Sequence, residues 1–343
     1  MRLAANRLME PVTHALASLA LGRAGLGRVT RLAAPMLVVS GLAADLDWVS
    51  YTAGAPAFLA WRRTASHSLL GAAVISAGVA AGFWLLGRKW NASQSVRFLP
   101  ALAVCAAGAG LHLLLDLTNS AGVKLLWPFS ARWLAWALSE TVDPGLLVIL
   151  LAGLLLPGLL NLIGEEIGAR SKHRPGGRGA IMALSLTALY IGGRALQHQR
   201  ADALLNSHTY REEAPLRVGA FPTFSPFLWR GVVETETGLH QVEVPLSPGA
   251  RFDARTARSQ FKPENSQALE RAVASEAARV FLAYARFPLA RVEPAEDGVE
   301  VRIRDLRDSS ATPDSAGIVA VITLNGRGEV IRSSLQFEAY AAR

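Results

Sequence analysis

Residues 98–120 read FLPALAVCAAGAGLHLLLDLTNS. No charge falls between Phe98 and Leu111, and with the residues that follow the run is long enough to cross a bilayer as a helix. His112 and Asp116 are four residues apart, so on a helix they share one face, a turn from each other. Ionisable groups in such a helix are costly unless they are paired, hydrated or bound to a cation. Asp116 also stands near the C-terminal end of the segment, where the helix dipole disfavours negative charge. A positive partner is therefore expected beside this pair, with the rest of the chain acting as a scaffold that brings further ligands to it.

The composition fits a membrane protein with a polar C-terminal part. Of 343 residues, 51% are hydrophobic and only 18% charged, low for a soluble protein of this size. Mean hydropathy is +0.27, and the apolar residues concentrate before about position 200. The net charge of +8 raises the question of nucleic acid, but basic residues flanking membrane helices explain it better. No basic stripe interleaved with aromatics, no zinc-finger spacing and no phosphate-binding glycine loop is found, so no nucleic-acid partner is expected. The single cysteine, Cys105, excludes an internal disulfide. No cleaved signal peptide is expected either, because Glu10 and His14 interrupt the weak apolar core after Arg2 and Arg7.

Helical segments are expected at 11–26, 32–48, 67–87, 98–118, 144–163 and 179–197. The first is short for a span and could be re-entrant. After Gln197 charges mix with alternating apolar residues, as in a water-exposed domain. Trp229–Thr235 and Leu239–Val244 around Glu236-Thr237-Gly238 predict a hairpin, 267–287 has helical spacing, and 298–304 and 318–324 predict strands. The expected architecture is a polytopic α-helical membrane domain of five or six helices over 1–197, followed by a small extramembrane α+β domain over 198–343.

If the helices alternate in direction, one set of loops carries Arg23, Arg28, Arg31, Arg88, Lys89, Arg97, Arg170, Lys172, Arg174 and Arg178. The opposite short loops carry Arg62, Arg63, Lys124 and Arg132, with Arg2 and Arg7 at the terminus. The bias puts the first set in the cytoplasm and the C-terminal domain on the outer side. The same alternation delivers His14, Asp45, Asp47, His67, His112, Asp116 and Asp143 to one membrane face, the outer one.

Imidazole nitrogen and carboxylate oxygen suit Zn²⁺, with Mn²⁺ or Fe²⁺ as alternatives. Seven candidate ligands exceed one tetrahedral set, so one or two ions are expected, able to activate water and hold a phosphoryl or acyl oxygen. Simpler readings stand beside this one. Asp143 before Pro144 equally suits a helix N-cap. His14 could be an interfacial histidine, His67 a helix-start hydrogen-bond donor, and Asp45 and Asp47 solvated charges beyond a helix end. Arg62 and Arg63 suit either a substrate phosphate or lipid headgroups. Trp127-Pro128-Phe129, Trp133 and Trp136 fit an aromatic belt at the interface or a lipid-facing entrance.

The order Thr13-His14-Ala15, Ala44-Asp45-Leu46-Asp47, Ser66-His67-Ser68, His112-Leu113-Leu114-Leu115-Asp116 through Asn119-Ser120, then Leu125-Leu126-Trp127-Pro128-Phe129-Ser130 resembles a known family. These are the membrane-bound, metal-dependent hydrolases, also described as LexA-binding, inner-membrane-associated hydrolases. Asp143-Pro144 and Pro226-Phe227-Leu228-Trp229-Arg230 add to the likeness, which covers about 11–150 and a piece of the C-terminal part. The family often has His-Arg-Gly where this chain has Arg62-Arg63-Thr64, so one histidine of that pattern is absent here. The His-x-x-x-Asp pair also resembles, more distantly, the zinc-dependent phospholipase C and single-strand nuclease group.

The resemblance implies a metal-dependent hydrolase of the bacterial inner membrane and names no substrate; the more distant likeness points to a phosphoester, and a site at the membrane surface makes a lipid or lipid-linked substrate the expectation. On the reading of the residues themselves, the seven His and Asp residues would supply metal ligands, or for Asp47 a general base, and Arg63 would clamp the substrate. A regulatory protein partner is also conceivable. Two rivals differ in class: a transporter, which should place its polar residues at the midplane or on both sides, and a non-enzymatic regulator with a structural metal.

Overall fold

The structure is a computed structural model that describes residues 2–90, 96–166, 177–307 and 316–339. Arg170, Lys172 and Arg174 of the charge-bias argument lie outside the described residues. The chain divides into two compact units, one of residues 1–47 with 63–196, the other of residues 48–62 with 197–343.

The first unit is helical. Its long helices are α1 (Arg2–Ala24), α2 (Ala33–Leu42), α4 (Leu69–Trp90), α5 (Phe98–Thr118), α6 (Pro144–Glu166) and the first part of α7 (Gly177–Asn206). Among the described residues five stretches are long and apolar enough to span a bilayer: Ala33–Ala53, Leu69–Arg88, Phe98–Thr118, Pro144–Asn161 and Gly177–Asn206. At 1.5 Å per residue the 30 residues of α7 run about 45 Å, so its last turns exceed a hydrocarbon core of about 30 Å.

Close approach of α1, α2 and α5 follows from small residues. A Cβ on Gly108 of α5 would lie 2.7 Å from the Leu37 carbonyl oxygen and against Ser40 Oγ of α2, and one on Gly41 would meet Ser18 Oγ of α1. Without side chains at these points the backbones meet, as membrane helices do where small residues line the contact. Around them Ala33, Met36 and Leu37 pack against Ala80, Ala101, Val104 and Cys105. Ala17 and Ala20 pack against Leu115, Leu150, Leu154 and Ala180.

The segment expected as one helix over 32–48 is not continuous. It is α-helical only to Leu42 and then winds as a tighter 3₁₀ helix from Ala43 to Ala53. The change begins where Asp45, Asp47, Ser50 and Thr52 replace apolar residues, side chains that compete for backbone hydrogen bonds. Thr52 Oγ1, for example, donates to the Val49 carbonyl.

The second unit holds two four-stranded antiparallel meanders. The first is β1 (Arg217–Pro222), β2 (Leu228–Glu234), β3 (Gly238–Pro245) and β4 (Arg258–Phe261). The second is β5 (Pro288–Ala295), β6 (Gly298–Asp305), β7 (Ala316–Asn325) and β8 (Val330–Ala339). The expected hairpin is β2–β3, with Trp229 opposite Val244 and Glu234 opposite Leu239.

The helical run at 267–287 is two short helices, α8 (Gln267–Val273) and α9 (Glu276–Tyr284), the latter capped by Ser275. Into the core of the second sheet goes a piece from far upstream, α3 (Ala55–Trp61). Its Ala55 and Leu59 are buried with Phe281, Ile303, Ile322 and Leu335. Tyr51 and Phe58 pack their rings on Phe337 at centroid distances of 4.6 and 5.7 Å.

Candidate metal centre

Five of the seven expected ligands meet in the interior of the helical unit. His14 comes from α1, Asp45 from the 3₁₀ turn after α2, His67 from the turn before α4, and His112 with Asp116 from α5. All five are buried, the three imidazoles and Asp116 to within 3% of full burial. Two overlapping triads, His14–His112–Asp116 and Asp45–His67–His112, each bring one ligand atom per residue within 4.8 Å of the others and could hold metal ions.

The Asp116 carboxylate is the hub. His14 Nε2 is 3.3 Å from Oδ1, and His67 Nε2 and His112 Nε2 are 3.0 and 3.5 Å from Oδ2. Asp45 stands further out, its oxygens 3.9 Å from His67 Nε2 and 4.0 Å from His112 Nδ1.

The outer edges of two rings define what their inner edges can do. His112 Nδ1 lies 2.8 Å from the Gly41 carbonyl oxygen, which can only accept, so Nδ1 carries the proton and Nε2 a lone pair. His67 Nδ1 lies 3.0 Å from Asp47 Oδ2 and 2.9 Å from Ser66 Oγ. Ser66 itself donates to the same Asp47 oxygen, so the His67 Nδ1–H donates to the carboxylate and its Nε2 is again a lone pair.

With both rings neutral, two lone-pair nitrogens face each other at 3.1 Å, beside Asp116 Oδ2. Buried acceptors brought this close repel one another, and a cation among them would remove the conflict. Each ring also donates its outer N–H to a carbonyl or carboxylate, the arrangement usual for metal-ligating histidines. The donor set fits a divalent metal.

The remaining predicted residues are placed otherwise. Asp47 lies outside both triads, behind the His67 ring. Asp143 caps α6, its Oδ1 accepting from the Gly145 and Leu146 N–H groups at 2.9 and 3.2 Å and from the Tyr190 hydroxyl at 2.9 Å. It shares with His14 and Asp116 the wall of a cavity of about 20 Å³, room for about one water.

Arg63, expected to clamp substrate, is buried with its guanidinium turned inward. It donates to Asn119 Oδ1 at 2.7 Å and to the Gly122 carbonyl at 3.3 Å, and stands 3.4 Å from Asp116 Oδ1. Arg62 is also buried, its guanidinium 4.4 Å from the Trp48 ring centre.

Three contributors escape a reading by residue type. Gly41 acts through a backbone carbonyl, which no side-chain pattern reveals. Ser66 and Asn119 orient Asp47 and Arg63; both stand inside the quoted motifs, and that adjacency was the available signal.

No curated protein and no solved structure matches the chain. The model of the YdjM inner membrane protein family matches residues 9–201, the stretch that carries every residue of the centre. That match spans more than half of the chain and agrees with the family its motifs resemble, and with five candidate spans beside it the chain belongs to the YdjM inner membrane protein family.

Proposed function

We propose that the protein is a metal-dependent hydrolase of the inner membrane, acting on a phosphoester in a lipid or lipid-linked substrate. The observation that carries the proposal is the convergence of the His14, His67 and His112 Nε2 atoms on the Asp116 carboxylate, with the outer nitrogens of His67 and His112 already engaged.

These four residues would hold the metal, most simply Zn²⁺. Both triads need His112, and its Nδ1 is engaged by Gly41, which favours one ion over two in this reading. A divalent ion bound there supplies Lewis acidity to a phosphoryl oxygen and lowers the pKa of a bound water.

The protein's own groups do the rest. Asp45, about 4 Å from two imidazoles, is the group we assign to accept the proton of the attacking water. The Arg63 guanidinium, held by Asn119 and Gly122, donates to the Asp116 carboxylate and orients it.

Lipid as substrate is supported by the loop that Arg63 grips. After Gly122 it exposes Leu126, Trp127, Phe129 and Trp136. Aromatic side chains of this kind favour the bilayer interface, where a headgroup can be reached sideways. The excess of basic residues on the opposite loops supports placing this end on the outer face.

The test is metal content of the detergent-purified protein by mass spectrometry, wild type beside the His112→Ala/Asp116→Ala double variant. One equivalent in the wild type and none in the variant is expected, followed by release of a phosphorylated headgroup or of phosphate from a panel of phospholipids. A wild type that takes up no transition metal after reconstitution would sink the hydrolase.

A further inference from the structure

Asp47 was expected as a ligand or base, yet its geometry serves neither. In a 3₁₀ helix residues two apart are turned about 120° from each other, and Asp45 and Asp47 reach opposite edges of the His67 ring. Asp45 turns to the centre, and Asp47 lies on the Nδ1 side of the His67 ring, away from the converging Nε2 atoms. One of its oxygens, Oδ2, collects the Arg63 backbone N–H at 2.7 Å, the Ser66 hydroxyl at 3.0 Å and His67 Nδ1 at 3.0 Å.

The first of these bonds also closes a loop. Asp47 and Arg63 are the two ends of the excursion 48–62, the segment that belongs to the other unit's core. Arg63 takes a positive φ of 53° at this neck, a conformation unfavourable for a bulky residue and kept where its surroundings hold it. One carboxylate oxygen thus clips the excursion shut and fixes the tautomer and tilt of His67.

We propose that Asp47 is a positioning residue: it presents His67 Nε2 to the metal and is neither a ligand nor the proton acceptor. This rests on the metal-centre reading above. Asp47→Asn keeps an oxygen to accept from Nδ1–H, whereas Asp47→Ala leaves the ring free to turn and to change tautomer.

The experiment titrates Zn²⁺ against a chromophoric chelator in the detergent-solubilised full chain, and records the visible spectrum of the Co²⁺-loaded protein. For Asp47→Ala we expect about ten- to a hundredfold weaker affinity. Asp47→Asn should recover most of it and keep the wild-type cobalt spectrum. Ser66→Ala, which removes one of the three donors, should lose a few-fold.

Unchanged affinity in Asp47→Ala would overturn the proposal, even if its metal-free form melts earlier, since that marks a purely structural clip. An Asp47→Asn cobalt spectrum altered as much as that of Asp47→Ala would overturn it too, by making Asp47 a ligand. A wild type without metal refutes the centre itself, a different failure.

Discussion

At the scale of single residues, the centre depends on which atom of each side chain is left over. His112 and Asp116 were visible as a pair because a helix puts positions four apart on one face. That His112 would turn Nδ1 to Gly41 and Nε2 to Asp116 was not visible, because the acceptor is a backbone carbonyl on another helix. Arg63 is the sharper case. A guanidinium near a proposed phosphate site suggests a clamp, but here it is engaged inside the protein. Arg63→Lys keeps the charge and loses the fork that reaches Asn119 and Gly122 together. It should cost about 2 kcal/mol of stability, the worth of a hydrogen bond to a charged group, and weaken metal binding through Asp116. Thermal unfolding and metal titration in detergent check this; a rise in KM for lipid with metal affinity unchanged would restore the clamp.

At the scale of elements, close helix packing builds the site. Gly108 is one turn before His112 on α5, and its missing side chain lets α2 approach until the Gly41 carbonyl meets the imidazole. Gly108→Ala sets a methyl group 2.7 Å from the Leu37 carbonyl and against Ser40. The helices must part, at a cost of about 1–3 kcal/mol typical of overpacking, and the His112–Gly41 bond should lengthen. Lowered thermal stability together with weaker Zn²⁺ binding is the expected result; stability lost at wild-type affinity would show that the centre tolerates the shift. Gly110, two residues on, has open space around an added Cβ, so Gly110→Ala should leave metal binding as it is and serves as the control.

At the scale of the whole molecule, the two units are interleaved in the chain. The excursion 48–62 leaves the helical unit after Asp47, places Ala55 and Leu59 in the core of the second sheet, and returns at Arg63. Leu59→Ala, at a site 5% exposed, should destabilise that core by about 2–5 kcal/mol. Because the excursion's ends carry Asp47 and Arg63, it should also reduce Zn²⁺ affinity several-fold, measured by the same chelator competition. Unchanged affinity would mean that the clip at the neck holds whatever its excursion does.

The sequence by itself determined the membrane class, most helix positions, four of the eight described strands of the C-terminal part and the residue types of the candidate centre. Those follow from local causes: hydropathy over a bilayer's thickness, period-two alternation, and the cost of ionisable groups in apolar helices. It also carried the family, through the order of short motifs. Only the tertiary structure decided which candidate ligands converge, that Asp143 caps a helix, that Asp47 stands behind a ring, and that Ala55 and Leu59 join a core whose other buried residues lie between Ala272 and Leu335. Each of those depends on a direction in space: the turn angle of a 3₁₀ helix, the side of an imidazole, the approach of two backbones at glycine. A one-dimensional pattern states which groups are present, and packing states which way they point.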